Sequence, residues 1–224
     1  MFKAVIFDCD GVLVDSEVVG LDASASYLQA RGMNWSKAEL IERFSGLRDD
    51  EFFKLLASAY EDANGAPPDD SFFTGLYDQR RLSDMPMEAV TGAHEALAKI
   101  DLPRAVASSS RTDRLERKLK TTRLWDFFAP HIYSADCVDN GKPEPDIYLY
   151  AASKLGVLPA ECLVVEDSTH GVYAGINAGM TVWGFTGGGH CFAGHAERLS
   201  AAGAAWVAAD FASLSERLAV MPVH

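Results

Sequence analysis

The chain opens on a short apolar, β-branched run, Phe2 to Phe7, that stops at acids and Gly11. A run of this kind, bounded by turn residues, reads as a strand buried on both faces. From Ser16 to about Asp84 the spacing of apolar positions becomes helical. It predicts helices over Glu17–Ala30, Lys37–Phe44, Asp49–Tyr60 and Ser71–Arg81, punctuated by Gly32, Gly46 and the stretch Gly65-Ala66-Pro67-Pro68. No strand pattern interrupts this region, so it reads as a helical bundle. From about Glu88 helices and strands alternate. A helix over Gly92–Ile100 leads to a strand over Arg104–Ser108, and a helix over Thr112–Lys120 to a short strand near His131–Ser134. A helix over Asp146–Leu155 leads to a strand over Cys162–Val165, and a helix over Gly171–Ala178 to a strand over Thr181–Phe185. A last helix, strand and helix follow at His195–Ala202, Trp206–Val207 and Phe211–Leu218.

Alternating strands and helices predict βαβ units and a parallel sheet, hence an α/β fold. The first strand has nothing to pair with unless it joins that sheet, so the helical region is an insertion. The expected division is a core over 1–15 and 86–224, and a helical domain over 16–85.

Composition narrows the function. The 224 residues are 48% hydrophobic and 23% charged, the balance of a folded protein rather than a disordered one. The net charge of −12, from 32 acids against 20 bases, repels nucleic acid and anionic membrane surfaces. Neither is expected as a partner. The start, MFKAVIFDCD, is not that of a secretory signal, and no apolar run reaches membrane-spanning length. Cys9, Cys137, Cys162 and Cys191 form no CxxC pair or zinc spacing, so free, mostly buried thiols in a cytoplasmic protein are expected.

In an open parallel sheet, ligands bind beyond the carboxyl ends of the strands. Four such ends carry polar groups. After the first strand, Asp8 and Asp10 alternate with Cys9 and so share a face, and Gly11 permits a sharp exit. Two close carboxylates repel unless a cation lies between them, and Mg²⁺ prefers oxygen ligands. The second end, Ser108-Ser109-Ser110, sets hydroxyls beside a helix start, a combination that can cradle phosphate; Ser110 is the expected helix cap. In the third, Gly141-Lys142-Pro143-Glu144-Pro145, a lysine in a rigid loop offers a compact cation. The fourth strand end, Val164-Val165-Glu166-Asp167-Ser168, again carries paired acids, suited to the remaining metal contacts.

Singly the last three motifs are weak, but their order and shared location are specific. The set resembles the haloacid dehalogenase superfamily: DxDG, a strand ending in Ser/Thr, a lysine, and a strand ending in paired acids. GKPEPDIY and VVEDSTHGVYAGINAGM are most similar to the subfamily of phosphoglycolate phosphatase-like and β-phosphoglucomutase-like enzymes. That resemblance spans essentially the whole chain. It implies a Rossmann-like core with an inserted helical cap, and Mg²⁺-dependent phosphatase chemistry on a small phosphorylated metabolite through an aspartyl-phosphate. The carried-over roles are Asp8 as nucleophile, Asp10 as acid and base, Ser108 and Ser109 as phosphate contacts, and Lys142 as the neutralising cation. Asp8, the Asp10 carbonyl and Asp167 would hold Mg²⁺, with Glu166 contacting it directly or through water.

Residue by residue, the branch points favour a phosphatase as the default, with a β-phosphoglucomutase-like phosphosugar mutase as the alternative and a non-catalytic phospho-ligand sensor behind it. Dehalogenases lack the second acid, which is Asp10 here. The first cap helix contains no lysine of the kind used by phosphonate hydrolases. Where β-phosphoglucomutase-like enzymes place a histidine, this chain has Gly20, and Arg48 stands one position from their cap-loop arginine. The loop Ser45–Asp49 is expected to reach into the site, with Arg48 as a substrate contact. A monomer or weak homodimer is expected. Gly187-Gly188-Gly189-His190 lacks the spacing of a dinucleotide fingerprint and reads as a loop at the rim; His170 is left outside the catalytic set.

Overall fold

The strand β1, Ala4–Phe7, is buried at every residue. Its side chains divide by parity: Val5 and Phe7 enter one apolar cluster, and Ala4 and Ile6 enter another on the opposite face. That division is the reason the sequence there is continuously apolar rather than alternating. The computed structural model describes residues 2–81 and 87–220. The expected boundary at 85/86 therefore lies outside the described residues.

The sheet has six parallel strands in the order β3-β2-β1-β4-β5-β6. The strands after β1 are β2 (Arg104–Ser108), β3 (Ile132–Ser134), β4 (Cys162–Glu166), β5 (Thr181–Phe185) and β6 (Trp206–Ala208). The chain runs outward from β1 through β2 to β3, then returns to place β4 on the other side of β1. The order reverses between β1 and β4, so the crevice expected of such sheets opens where Asp8 and Glu166 leave them. Register agrees: Phe7 pairs with Val165, and the Asp8 N–H donates to the Val165 carbonyl at 3.0 Å.

Helices cover both faces: α5 (Ala93–Leu97), α6 (Thr112–Thr121), α7 (Trp125–Phe128), α8 (Asp146–Leu155), α9 (Thr169–Asn177), α10 (His195–Ala201) and α11 (Phe211–Ala219). The segment after β1 carries α1 (Leu21–Gln29), α2 (Lys37–Phe44), α3 (Asp49–Asn64) and α4 (Asp70–Arg81). These pack around a separate cluster of Leu28, Met33, Leu40, Leu56, Phe72 and Leu76.

Two expectations are corrected. The first helix begins at Leu21 rather than Glu17, because Gly20 is left-handed at φ 73° and cannot lie inside a helix. The cap of α6 is Arg111 rather than Ser110; the Ser110 hydroxyl is turned into the site instead. The short helix α7 was not anticipated, since four residues carry too little periodicity to register.

Candidate active site

Asp8 leaves β1 with its carboxylate buried, and Lys142 meets it at 2.5 Å. The Lys142 ammonium is fully enclosed and also donates to Glu166 Oε1 at 2.6 Å, with the Tyr148 ring 4.8 Å below it. Glu166 is saturated. Oε1 accepts from Lys142 and from the Tyr148 hydroxyl at 2.9 Å, and Oε2 accepts from the Ser168 N–H at 2.8 Å and its hydroxyl at 3.0 Å. Gly171 makes room for this: a Cβ there would stand 1.6 Å from Glu166 Oε1. With these acceptors filled, Glu166 faces Lys142.

Asp167 is buried with one carboxylate oxygen, Oδ2, that no aligned donor among the described residues satisfies. His190 Nε2 approaches that oxygen to 2.8 Å. Gly11, at φ 80°, packs so closely that a Cβ there would lie 2.1 Å from it.

Asp10 is held differently. Its Oδ1 accepts from the Ser16 hydroxyl and the Lys118 ammonium, and its Oδ2 from Ser110 Oγ at 2.9 Å and Ser108 Oγ at 3.4 Å. Lys118 also donates to Ser110 Oγ at 2.9 Å. Burial pushes the Asp10 carboxyl up, but Lys118 and these hydroxyls outweigh it and hold the pKa at about 2. Lys118 escaped the sequence reading because it sits mid-helix in a charged stretch that looks like a solvated face; only the approach of α6 to Asp10 distinguishes it.

Charge balance tests whether a divalent cation fits. Asp8, Asp10, Glu166 and Asp167 offer four buried or nearly buried carboxylates against Lys118 and Lys142. If all ionise, two negative charges stay uncompensated. Burial raises the Asp8 carboxyl well above its usual range despite Lys142, and burial with Glu166 nearby raises Asp167 likewise. Hard oxygen donors, a bare oxygen on Asp167 and an excess of two negative charges suit Mg²⁺.

The loop over 45–49 reaches the strand ends, as expected. Ser109 Oγ donates to the Gly46 carbonyl at 2.6 Å, and His170 Nδ1 lies 3.1 Å from the Ser45 carbonyl. Arg48 joins α3 to the loop before Lys142, donating to the Asp139 carbonyl at 2.8 Å and pairing with Asp50. Its guanidinium thus lies against the core loop and outside the ring of groups around Asp8. Ser108 ends β2 fully buried and accepts from the Ser110 N–H at 3.1 Å.

The family model for haloacid dehalogenase-like hydrolases matches residues 5–185. The chain is 29% identical to the 6-phosphogluconate phosphatase of Escherichia coli K12 over 188 residues, 84% of each protein. A haloacid dehalogenase-like protein of Agrobacterium tumefaciens superposes with a TM-score of 0.86 at 37% identity, covering 99% of each chain. A family hydrolase of Deinococcus radiodurans, solved with bound phosphate and sodium, superposes with a TM-score of 0.74 at 36% identity, covering 97% of this chain and 95% of that one. The fold, the ordered strand-end motifs and these matches agree, and the chain belongs to the haloacid dehalogenase-like hydrolase family.

Proposed function

We propose that the protein is a Mg²⁺-dependent phosphatase of a small phosphorylated metabolite, with sugar phosphates and sugar-acid phosphates the leading class. The observation that carries the reading is the placement of Asp8. Its carboxylate stands at the switch point of the sheet, neutralised on one side by Lys142 and bordered by the Ser108 strand end and Asp167. The similarity to a 6-phosphogluconate phosphatase and to a hydrolase holding phosphate supports the substrate class.

In this reading an Asp8 oxygen attacks phosphorus, the P–O bond to the metabolite breaks, and an aspartyl-phosphate forms. The nucleophile divides one difficult displacement into two easier ones. Asp10 gives the departing oxygen its proton, then takes one from the water that cleaves the aspartyl-phosphate. Held by Lys118, Asp10 is ionised and set up as the base; for the acid half-step it must first turn off that lysine and take up a proton from water, which it then passes to the departing oxygen. Ser108 and the Ser109 N–H hold phosphoryl oxygens. Lys142 balances charge on Asp8, and Glu166 keeps Lys142 in place. Mg²⁺, held by Asp8, the Asp10 carbonyl and Asp167, would neutralise phosphoryl charge as it shifts. The loop over 45–49 closes the site toward the helical segment, a position suited to substrate selection.

The test is a panel of phosphorylated metabolites assayed for phosphate release with Mg²⁺, wild type beside Asp8→Asn. Release by the wild type alone supports the reading. An isomerised sugar phosphate without net release would indicate a mutase, and binding without turnover a sensor.

A further inference from the structure

We propose that His190 is a positioning residue that holds the Asp167 carboxylate for its divalent cation. The inference rests on the reading of Asp167 as a metal ligand. His190 lies on the segment between β5 and α10, remote in sequence from every motif that carries the chemistry. It is fully buried, with Nε2 2.8 Å from Asp167 Oδ2. Its other nitrogen, Nδ1, is buried without a partner among the described residues. A bare buried acceptor is more tolerable than a bare buried N–H, so the proton belongs on Nε2, the nitrogen that lies against the carboxylate without being aligned on it and that also lies 3.6 Å from Cys191 Sγ.

The backbone around His190 is shaped to deliver the ring there. The Gly189 N–H donates to Asp15 Oδ1 at 3.0 Å, tying the segment to the loop that bears Asp8 and Asp10. A Cβ on Gly188 would stand 2.5 Å from the Gly11 carbonyl, and one on Gly187 2.6 Å from the Phe185 ring. A Cβ on Gly11 would meet both Asp167 and His190, at 2.1 and 2.5 Å. The glycine run is thus an approach path, and Gly11, Asp167 and His190 share one contact.

Asp167 is anchored a second time from the same region. His195 Nε2 lies 2.6 Å from the Asp167 carbonyl, while its Nδ1 faces the Arg198 guanidinium at 3.3 Å. His190, Cys191 and His195 also place ligand atoms within 4.8 Å of one another. Because both His195 nitrogens already have partners, this trio is not read as a metal site of its own. The two imidazoles instead restrain one acid at its side chain and its main chain. Groups that orient a metal ligand in this way typically account for about 10–100-fold in metal affinity.

The experiment is calorimetric titration of MgCl₂ into chelator-stripped protein, with circular dichroism and thermal melting on each variant. His190→Ala is expected to bind Mg²⁺ about 10–100-fold more weakly with an unchanged dichroism spectrum. His190→Gln, whose amide can donate from nearly the same point, is expected to recover most of that loss. Affinity within twofold of wild type in a folded His190→Ala overturns the proposal, as does a Gln variant no better than Ala at matched thermal stability. Should His190→Ala fail to fold, imidazole ¹⁵N spectra of the wild type decide: a proton on Nε2 and a shift on Mg²⁺ addition support the role, and a proton on Nδ1 overturns it. Asp167→Asn separates the two claims. If it binds Mg²⁺ as well as wild type, the metal-ligand reading fails; if it loses binding while His190→Ala does not, only the positioning role fails.

Discussion

Lys142 offers the sharpest test of how the site is held together. It is fully buried and 2.5 and 2.6 Å from two carboxylates. Lys142→Met keeps most of the stem's volume and removes the charge, leaving Asp8 and Glu166 enclosed without their cation. Breaking a buried pair by deleting one partner costs about 3–5 kcal/mol. For a chain of this length each kcal/mol moves the melting temperature by about 2–4 °C, so a fall of about 6–20 °C is expected. The deficit should depend on pH. Asp8 already has a raised pKa, from burial set against Lys142, and losing Lys142 raises it further. A carboxyl whose folded pKa lies above its unfolded value costs stability as pH rises through the interval between them, because the native state then holds a proton the unfolded chain would release. The variant should therefore be closest to wild type near pH 5 and furthest from it near pH 8. Urea unfolding in EDTA across that range measures this directly, and Lys142→Met with Glu166→Gln should regain part of the loss by discharging one stranded acid. A single variant within about 1 kcal/mol of wild type at pH 8 would refute the claim that Lys142 is the counter-ion of the site.

Asp8→Asn should abolish phosphate release yet be at least as stable as wild type in EDTA at pH 8, since it removes a carboxylate that burial makes unfavourable when ionised; a destabilised variant would contradict that electrostatic account. Lys118→Met should lift Asp10 from about 2 toward its unperturbed 3.8 or above. The stability that Asp10 contributes is present above the unfolded value and lost as pH falls through about 2. Removing Lys118 should therefore cost roughly 2 kcal/mol at neutral pH and move the acid limb of kcat/KM upward, and an unmoved limb would separate Lys118 from Asp10. Gly46→Ala should impair substrate capture, because its left-handed φ of 82° and a Cβ only 2.3 Å from Ser168 Oγ would lift the loop over 45–49 away from Ser109; a KM unchanged across the substrate panel would count against that loop as a substrate gate.

What could be read along the chain was what repeats or alternates locally. The run Ala4–Phe7 had to be a doubly buried strand, and the strands Arg104–Ser108 and Thr181–Phe185 and the helices Lys37–Phe44 and Asp146–Leu155 fall where periodicity puts them. Parallel strands align their carboxyl ends, so Asp8, Ser108 and the Glu166-Asp167 pair had to gather at one edge whatever the details. Which partner each acid takes was beyond that reasoning. Lys118, fourth from the end of α6, looked like a surface charge until the helix brought it onto Asp10. Glu166 and Asp167 are neighbours in sequence, yet one is saturated by Lys142, Tyr148 and Ser168 while the other keeps an unfilled oxygen beside His190. Arg48, placed by its loop near the site, spends its donors on Asp50 and the carbonyl of Asp139. The order of motifs along the chain determined the fold and the kind of chemistry, because backbone periodicity and sheet direction are local and general. Tertiary packing decided the charge pairing, because two ionisable groups interact according to distance and burial, and neither is set until separate elements meet.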